Sequence, residues 1–381
     1  MFLAISKSKI PVYCYGVAIF AYALQQTAFI TRFPMANRFF YAVILFAIAV
    51  SLLIEITRHS TLLIKTFALL IMFILVVVGN IFFNEGPIDF IYILFFIYVC
   101  RENEPVKIFQ AYYIAVLSAV FITVIAMYVR ILPNSIIRNN DCLGFLYLSF
   151  GPNMFLHGCI AYVAGTKNRI TNWKWLVIMA VNFWFFIKTD TLSAFVFVLV
   201  LFVLCKFFSL SKIRKRLEDK KSVLNTIIVY QSYLAAVFII IIQLLYNKFY
   251  YSIFWQGANA FFSQRLMLGR KAFLDYPIKL FGQPILWNTG LATSIANEYF
   301  YVDSSFLQIL LRYGIVMLLG VCSLMTIVAN YSKNEKTYFV TIALSVFTLH
   351  CIFDPQLLSF RYNPFIICVI YAFNRRKIKY E

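Results

Sequence analysis

The chain has 381 residues, 62% of them hydrophobic and only 13% charged, with a formal net charge of +19. An average soluble domain carries about 25% charged residues, so a water-soluble fold is excluded. A nucleic-acid partner is excluded too, because a basic base-stacking surface needs an aqueous face this chain barely has; anionic lipid headgroups fit the charge better.

Apolar runs recur at about 18 to 25 residues, the length an α-helix needs to cross the hydrocarbon of a bilayer. A β-barrel would show short alternating segments instead, so the expected fold is an all-α polytopic membrane protein. Taken in chain order, twelve spans are predicted: about 11–29, 39–56, 62–82, 86–100, 108–130, 143–165, 175–188, 191–208, 226–246, 304–329, 338–353 and 363–374. The fourth, seventh and last are short. Lys7 and Lys9 precede the first run without a small-residue cleavage site, which reads as a retained helix. No stretch reads as a separate soluble domain, so residues 1–381 form one integral membrane domain. The eight cysteines lie in or beside apolar runs with no metal-binding or redox spacing, and read as packing residues. No cofactor or metal site is expected.

With the N-terminus placed in the cytoplasm, 22 of the 34 Lys and Arg residues fall on the inner side and 12 on the outer. This inward bias puts both termini in the cytoplasm. "KIRKRLEDKK" (212–221) becomes the main basic inner loop, and the long loop 247–303 faces outward between the ninth and tenth spans. Cations held outside against the bias need a reason; snorkelling to outer headgroups is the plain one.

That loop contains "FFSQRLMLGRKAFLDYPIKLFGQ" (261–283). Arg265 and Arg270 are five residues apart, about 140° on an unbroken helix, so they cannot share a face there. Gly269, Pro277, Gly282 and Pro284 are breakers that could fold a short helix back and bring both guanidinium groups together. Arginine suits a phosphate because its planar fork grips two oxygens and stays charged. "YVDSSFLQILLRYG" (301–314) then opens the tenth span, with Asp303 or Ser304 as its N-cap by default. Arg312 would lie about 12 Å along that helix, which implies a wet pocket and a phosphate, Asp303 or Asp354 as partner.

Two further stretches face the same side. "IIRNNDCLGFLYLSFGPN" (136–153) supplies Arg138 and Asp141 before the sixth span, which Pro152 interrupts beside Asn153. "KTDTLSAF" (188–195) is a short outer turn with Lys188 and Asp190. The plain alternatives are a helix cap for Asp141 and a surface pair for Lys188 with Asp190. His157 and His350 are isolated in spans and read as packing; His59 is cytoplasmic, and nothing resembles a zinc site.

"SQRLMLGRKAFLDYPIKLFGQPI" followed by "YVDSSFLQILLRYG", with "LGFLYLSFGPN" upstream and "TDT" after the seventh span, resembles the Wzy-type polysaccharide polymerases of capsule, exopolysaccharide and O-antigen assembly. The motifs cover about 136–314, and the span count extends the likeness to the whole chain. The resemblance implies a GT-C-like architecture related to O-antigen ligases and SEDS proteins, in the bacterial cytoplasmic membrane. It implies undecaprenyl-diphosphate-linked oligosaccharides as donor and acceptor, polymerised at the outer face, with a chain-length regulator and a flippase as further partners. The matching positions are Arg265 for the loop arginine, Asp303 for the acid opening the next span and Asn153 for the asparagine of the sixth. Many members carry arginine after the "TDT"-like turn; here Leu192 stands there, and either the role is dispensable or Lys188 covers it.

The chemistry implied is an inverting, metal-independent glycosyl transfer. Arg265 and Arg270, with Arg312 or Arg138, would meet the charge growing on the leaving diphosphate. A carboxylate would take the proton of the acceptor hydroxyl, Asp303 before Asp141, Asp190 or Asp354. The rivals are a ligase of the same architecture, disfavoured by a loop without histidine, and a lipid-linked oligosaccharide flippase or other carrier. Such carriers usually divide six plus six about a cytoplasmic loop.

Overall fold

A computed structural model describes residues 9–58, 88–166, 170–209, 223–288, 299–335 and 337–378. The expected third span, the basic stretch 212–221, both extreme termini and part of the long loop (289–298) lie outside the described residues. Within them the chain is mostly helical. Four helices are long and apolar enough to cross a membrane: Ala36–Thr57, Pro105–Tyr128, Gln231–Phe249 and Ser305–Lys333. Shorter apolar helices accompany them, among them Ile10–Leu24, Leu192–Phe208 and Tyr338–His350. By length and composition this is a multi-pass helical membrane protein.

In chain order the elements are α1 (Ile10–Leu24), α2 (Phe29–Arg32), α3 (Ala36–Arg58), α4 (Ile88–Val99), α5 (Pro105–Tyr128), α6 (Phe150–Gly165), α7 (Asn172–Thr189) and α8 (Leu192–Phe208). There follow α9 (Val223–Val229), α10 (Gln231–Phe249), α11 (Ile253–Phe261), α12 (Arg265–Asp275) and α13 (Ser305–Gln308). A π turn (Ile309–Tyr313) joins α13 to α14 (Gly314–Asn334), and α15 (Tyr338–His350) and α16 (Val369–Ile378) complete the set.

Small residues set the central packing. Gly16 of α1 lies against Ala111 of α5, where an added Cβ would stand 3.4 Å from the alanine's own. A Cβ at Gly158 of α6 would come within 2.8 Å of Leu117 Cγ on α5. With little hydrophobic force between helices in lipid, such close backbone approach is what holds them.

The helix ends differ from the sequence expectation in informative ways. α6 begins at Phe150 rather than near 143, so Pro152 falls in its first turn, where a missing N–H breaks no helical bond, and interrupts nothing. The residues before it form a two-residue antiparallel hairpin, Ile136–Ile137 with Asn140–Asp141. Arg138 and Asn139 make its tight turn at φ 52° and 64°, the left-handed pair such hairpins require. α1 stops at Leu24; the chain turns and Thr27 bridges to Phe145. The described residues of the loop 247–303 hold two helices, α11 and α12, and the ninth span breaks at Tyr230.

The largest departure lies at residues 351–365, where the eleventh span was expected to run to 353 and the twelfth to begin at 363, with a short outer connection between them. α15 ends at His350 and irregular backbone follows, buried inside the bundle. Non-helical chain is tolerated at this depth only when its polar groups are paired or line a wet cavity. Here Tyr112 donates its hydroxyl to Arg361 O at 2.6 Å, Asn363 donates to Leu357 O at 2.7 Å, and Phe365 N and Ile366 N donate to Asn363 Oδ1. Phe360 plugs the segment into the core, fully buried among Tyr15, Tyr22, Tyr92 and Phe96.

Candidate functional site

A cavity of about 400 Å³ opens at one end of the bundle. Its walls come from separate parts of the chain: Gln26 after α1, Asp89 in the first turn of α4, and Tyr147 to Asn153 entering α6. Tyr299 to Tyr313 supply a third wall, and the buried segment Asp354 to Tyr362 the fourth.

The loop arginine reaches this cavity through its partner. Ser263 and Gln264 turn the chain at φ 52° and 67°, and Asn259 Oδ1 accepts from Met267 N at 2.9 Å, which sets the start of α12 with Arg265 as its first residue. Gly269 lets α12 lie on α10, where Gln243 Nε2 donates to Leu266 O at 3.0 Å. From there Arg265 Nε meets Asp303 Oδ2 at 3.1 Å. Burial pushes the Asp303 carboxyl up to about 6, opposed by Arg265 and assisted by the charge of Asp354. A proton donor and acceptor near neutral pH results. Burial likewise raises the phenols of Tyr299 and Tyr301, the second to about 12, so both remain protonated donors.

Arg270 goes elsewhere. α12 runs unbroken across Gly269, so the expected fold-back does not occur; Arg270 stacks on Tyr250, 3.7 Å from the ring centroid, and is not part of the cavity wall. Arg312 does line the cavity, from the π turn. Its carbonyl accepts from Gln283 N at 3.0 Å, while Val316 N and Ile315 N donate to Leu280 O and Lys279 O. The outer loop is thus laced to the helix where the π turn opens it. Gly282 and Gly314, at φ 78° and 87°, make the crossing possible.

Asn153 is 4% exposed, lines the cavity, and its Oδ1 lacks a hydrogen-bond partner. Arg138, Asp141, Lys188 and Asp190 are not part of the wall. Arg138 is exposed in the hairpin turn, and Asp190 is exposed at the end of α7 in a left-handed conformation. Lys188 pairs with Asp141 at 3.5 Å rather than with Asp190, and Asp141 also accepts from Asn134 at 2.9 Å.

Three wall residues were not singled out as site residues from the sequence. Asp89 accepts from the Tyr22 hydroxyl and from Phe360 N. Arg361 donates to Tyr22 O at 3.1 Å and lies over the Tyr22 ring, with no carboxylate partner among the described residues. Gln356 is 4% exposed, and its Oε1 has no hydrogen-bond partner. Asp89 and Arg361 carried an advance signal as charges on the outer side, and for Gln356 the signal was breaker density, since Asp354, Pro355, Asn363 and Pro364 crowd one short stretch. The wall therefore combines two guanidinium groups, Arg312 and Arg361, with three carboxylates already engaged by protein donors. Such a site can hold an anion through planar forks and move a proton at a carboxylate. Among the described residues no His, Cys, Asp and Glu side chains gather into a set that could hold a metal ion. These features define a helical membrane protein with a charged cavity at one end of its bundle. No protein-family model matches the chain, and no curated protein matches it.

Proposed function

We propose that this protein is a polysaccharide polymerase of the Wzy type, with the twelve-span architecture and both termini in the bacterial cytoplasm. It joins undecaprenyl-diphosphate-linked oligosaccharide repeat units at the outer face of the cytoplasmic membrane. The observation that carries the reading is the pairing of Arg265, the loop arginine, with Asp303, the acid opening the next span, at the rim of a cavity that also takes Arg312 and Arg361. These are two positions the motif resemblance couples, and they are 38 residues apart in sequence.

In this reading Arg312 and Arg361 face the leaving diphosphate, where fixed donors in a water-poor site are worth several kcal/mol. Arg265 acts through Asp303, holding its charge and direction. The acceptor hydroxyl attacks the anomeric carbon, the bond to the diphosphate oxygen breaks with its electron pair, and a cavity carboxylate takes the hydroxyl proton. Direct displacement inverts the anomeric centre. Arg270, turned onto Tyr250, has no contact with the reacting groups in this scheme.

The test is the glycan itself. Cells carrying Arg265→Ala, and separately Arg312→Ala, should yield only single-repeat product on a gel where the parent protein yields a ladder. A normal ladder from both would refute the reading. Accumulation of unpolymerised units on the inner leaflet would instead indicate a carrier.

A further inference from the structure

Two buried histidines stand behind the cavity wall with no part in the scheme above. His157, in α6, is 1% exposed and His350, closing α15, is 0% exposed. Sequence spacing makes them look isolated, yet they touch. His157 Nδ1 lies 2.9 Å from Tyr362 O, His157 Nε2 lies 3.3 Å from His350 Nδ1, and His350 Nε2 lies 3.0 Å from Asp354 Oδ2 in the cavity wall.

The protons in this row can be counted from one end. A carbonyl only accepts, so His157 Nδ1 carries a hydrogen. Buried with no carboxylate beside it, His157 holds that one proton, and its Nε2 is an acceptor. His350 Nδ1 must then donate to it. That leaves His350 Nε2 facing a carboxylate oxygen, and two bare lone pairs at 3.0 Å repel. One proton therefore lies between His350 and Asp354. The oxygen sits off the ring N–H axis, since Nε2 has no aligned hydrogen-bond partner, so the contact is an ion pair's approach rather than a straight hydrogen bond. With the proton on His350, Asp354 is a carboxylate held by an imidazolium. Its Oδ1 makes no hydrogen bond among the described residues. Phenylalanine would fill either histidine's place without the cost of burying polar ring nitrogens.

Resting on the transferase reading, we propose that Asp354 takes the proton of the attacking hydroxyl and that His350, backed by His157, positions it. The hydroxyl's O–H electrons become the new bond to the anomeric carbon, the old C–O pair leaves on the diphosphate, and the proton passes to Asp354, which turns from carboxylate to acid. His350 keeps its proton throughout.

The experiment uses the full chain in proteoliposomes and lipid-linked repeat units extracted from a producing strain that lacks this protein. Asp354→Asn should lower kcat by about 100-fold or more with KM within about threefold, the range expected when a general base is lost. His350→Ala should lower kcat as well and regain rate as free imidazole is added. His350→Phe, which keeps volume but carries no proton, should stay slow with or without imidazole. Elution in detergent and heat stability would establish that each variant is folded. Wild-type kcat in Asp354→Asn or in His350→Phe, or no imidazole gain in His350→Ala, would overturn the assignment. A wild-type protein that extends no repeat unit defeats the transferase reading and the base with it, whereas an active wild type with unaffected variants defeats only the base.

Discussion

Gly282→Ala tests how the outer loop is fastened to the helix beneath it. At φ 78° an L residue is strained by about 1–2 kcal/mol. A Cβ there would also overlap the Arg312 carbonyl oxygen and stand 2.6 Å from Tyr313 Cα, both backbone atoms that cannot swing aside. Relief requires the loop to lift, which breaks the Gln283 N–Arg312 O bond and leaves a carbonyl of the π turn unsatisfied, a loss of about 1 kcal/mol or more. That bond is lost on lifting in the parent protein too, so the strain alone sets the shift: about 1–2 kcal/mol, a rise of about 10-fold in the population of the lifted loop. Lys279 offers a convenient readout: its side chain is exposed, but its carbonyl is tied to Ile315 N, so trypsin must wait for release. Cleavage after Lys279 in detergent-solubilised protein should quicken by about that factor when opening is fast relative to cutting. Gly320→Ala is the control, since a Cβ there meets nothing within 4 Å. Wild-type cleavage in Gly282→Ala would refute the account of the crossing.

The Asp303 carboxyl, raised by burial from 3.8 to about 6, should lose its charge, and with it the Arg265 ion pair, as pH falls through about 6. Because the folded state holds this proton more tightly than the unfolded one, its contribution to stability is full below 3.8, declines between 3.8 and about 6, and is absent above, a difference of about 3 kcal/mol. Arg265→Ala removes a lowering influence, so carbodiimide labelling of Asp303 followed across pH should show its midpoint move upward; a downward move would contradict the pairing. Phe360→Ala should cost about 3–5 kcal/mol in heat unfolding in detergent, since a fully buried ring leaves a cavity among four aromatics, and a loss below about 1 kcal/mol would mean the segment 351–365 is not anchored there. Lys188→Ala should change stability by less than about 1 kcal/mol and leave the glycan ladder intact, as its pair with Asp141 is half exposed; a shortened ladder would give that pair a role in the reaction.

Much of the helical plan was legible because apolar runs and their breakers are local features. α3, α5 and α10 lie where hydropathy places them, and Arg265 and Asp303 were singled out by their residue types in the outer loop and then by motif likeness, not by any sign of their pairing. What escaped was set by long-range contacts. Nothing in the spacing of Arg265 and Arg270 reveals that α12 stays whole and turns Arg270 onto Tyr250. His157 and His350 are 193 residues apart, and only the packing of α6 against α15 joins them. The segment 351–365 was read as two helix ends and a short outer connection, because nothing local shows that its Phe360 and Phe365 are drawn into the core while the backbone stays irregular.

The π turn at Ile309–Tyr313 makes chain length, more than side-chain identity, the quantity that matters at this point of the sequence. A wide turn is an α-helix with one residue too many. Deleting any one of the five would let the helix rewind to its ordinary pitch with little net rotation of its flanks, because the wide turn had absorbed the extra residue, and would withdraw the carbonyl on which Gln283 hangs. Conservative replacements in that stretch are therefore far milder than a single-residue deletion.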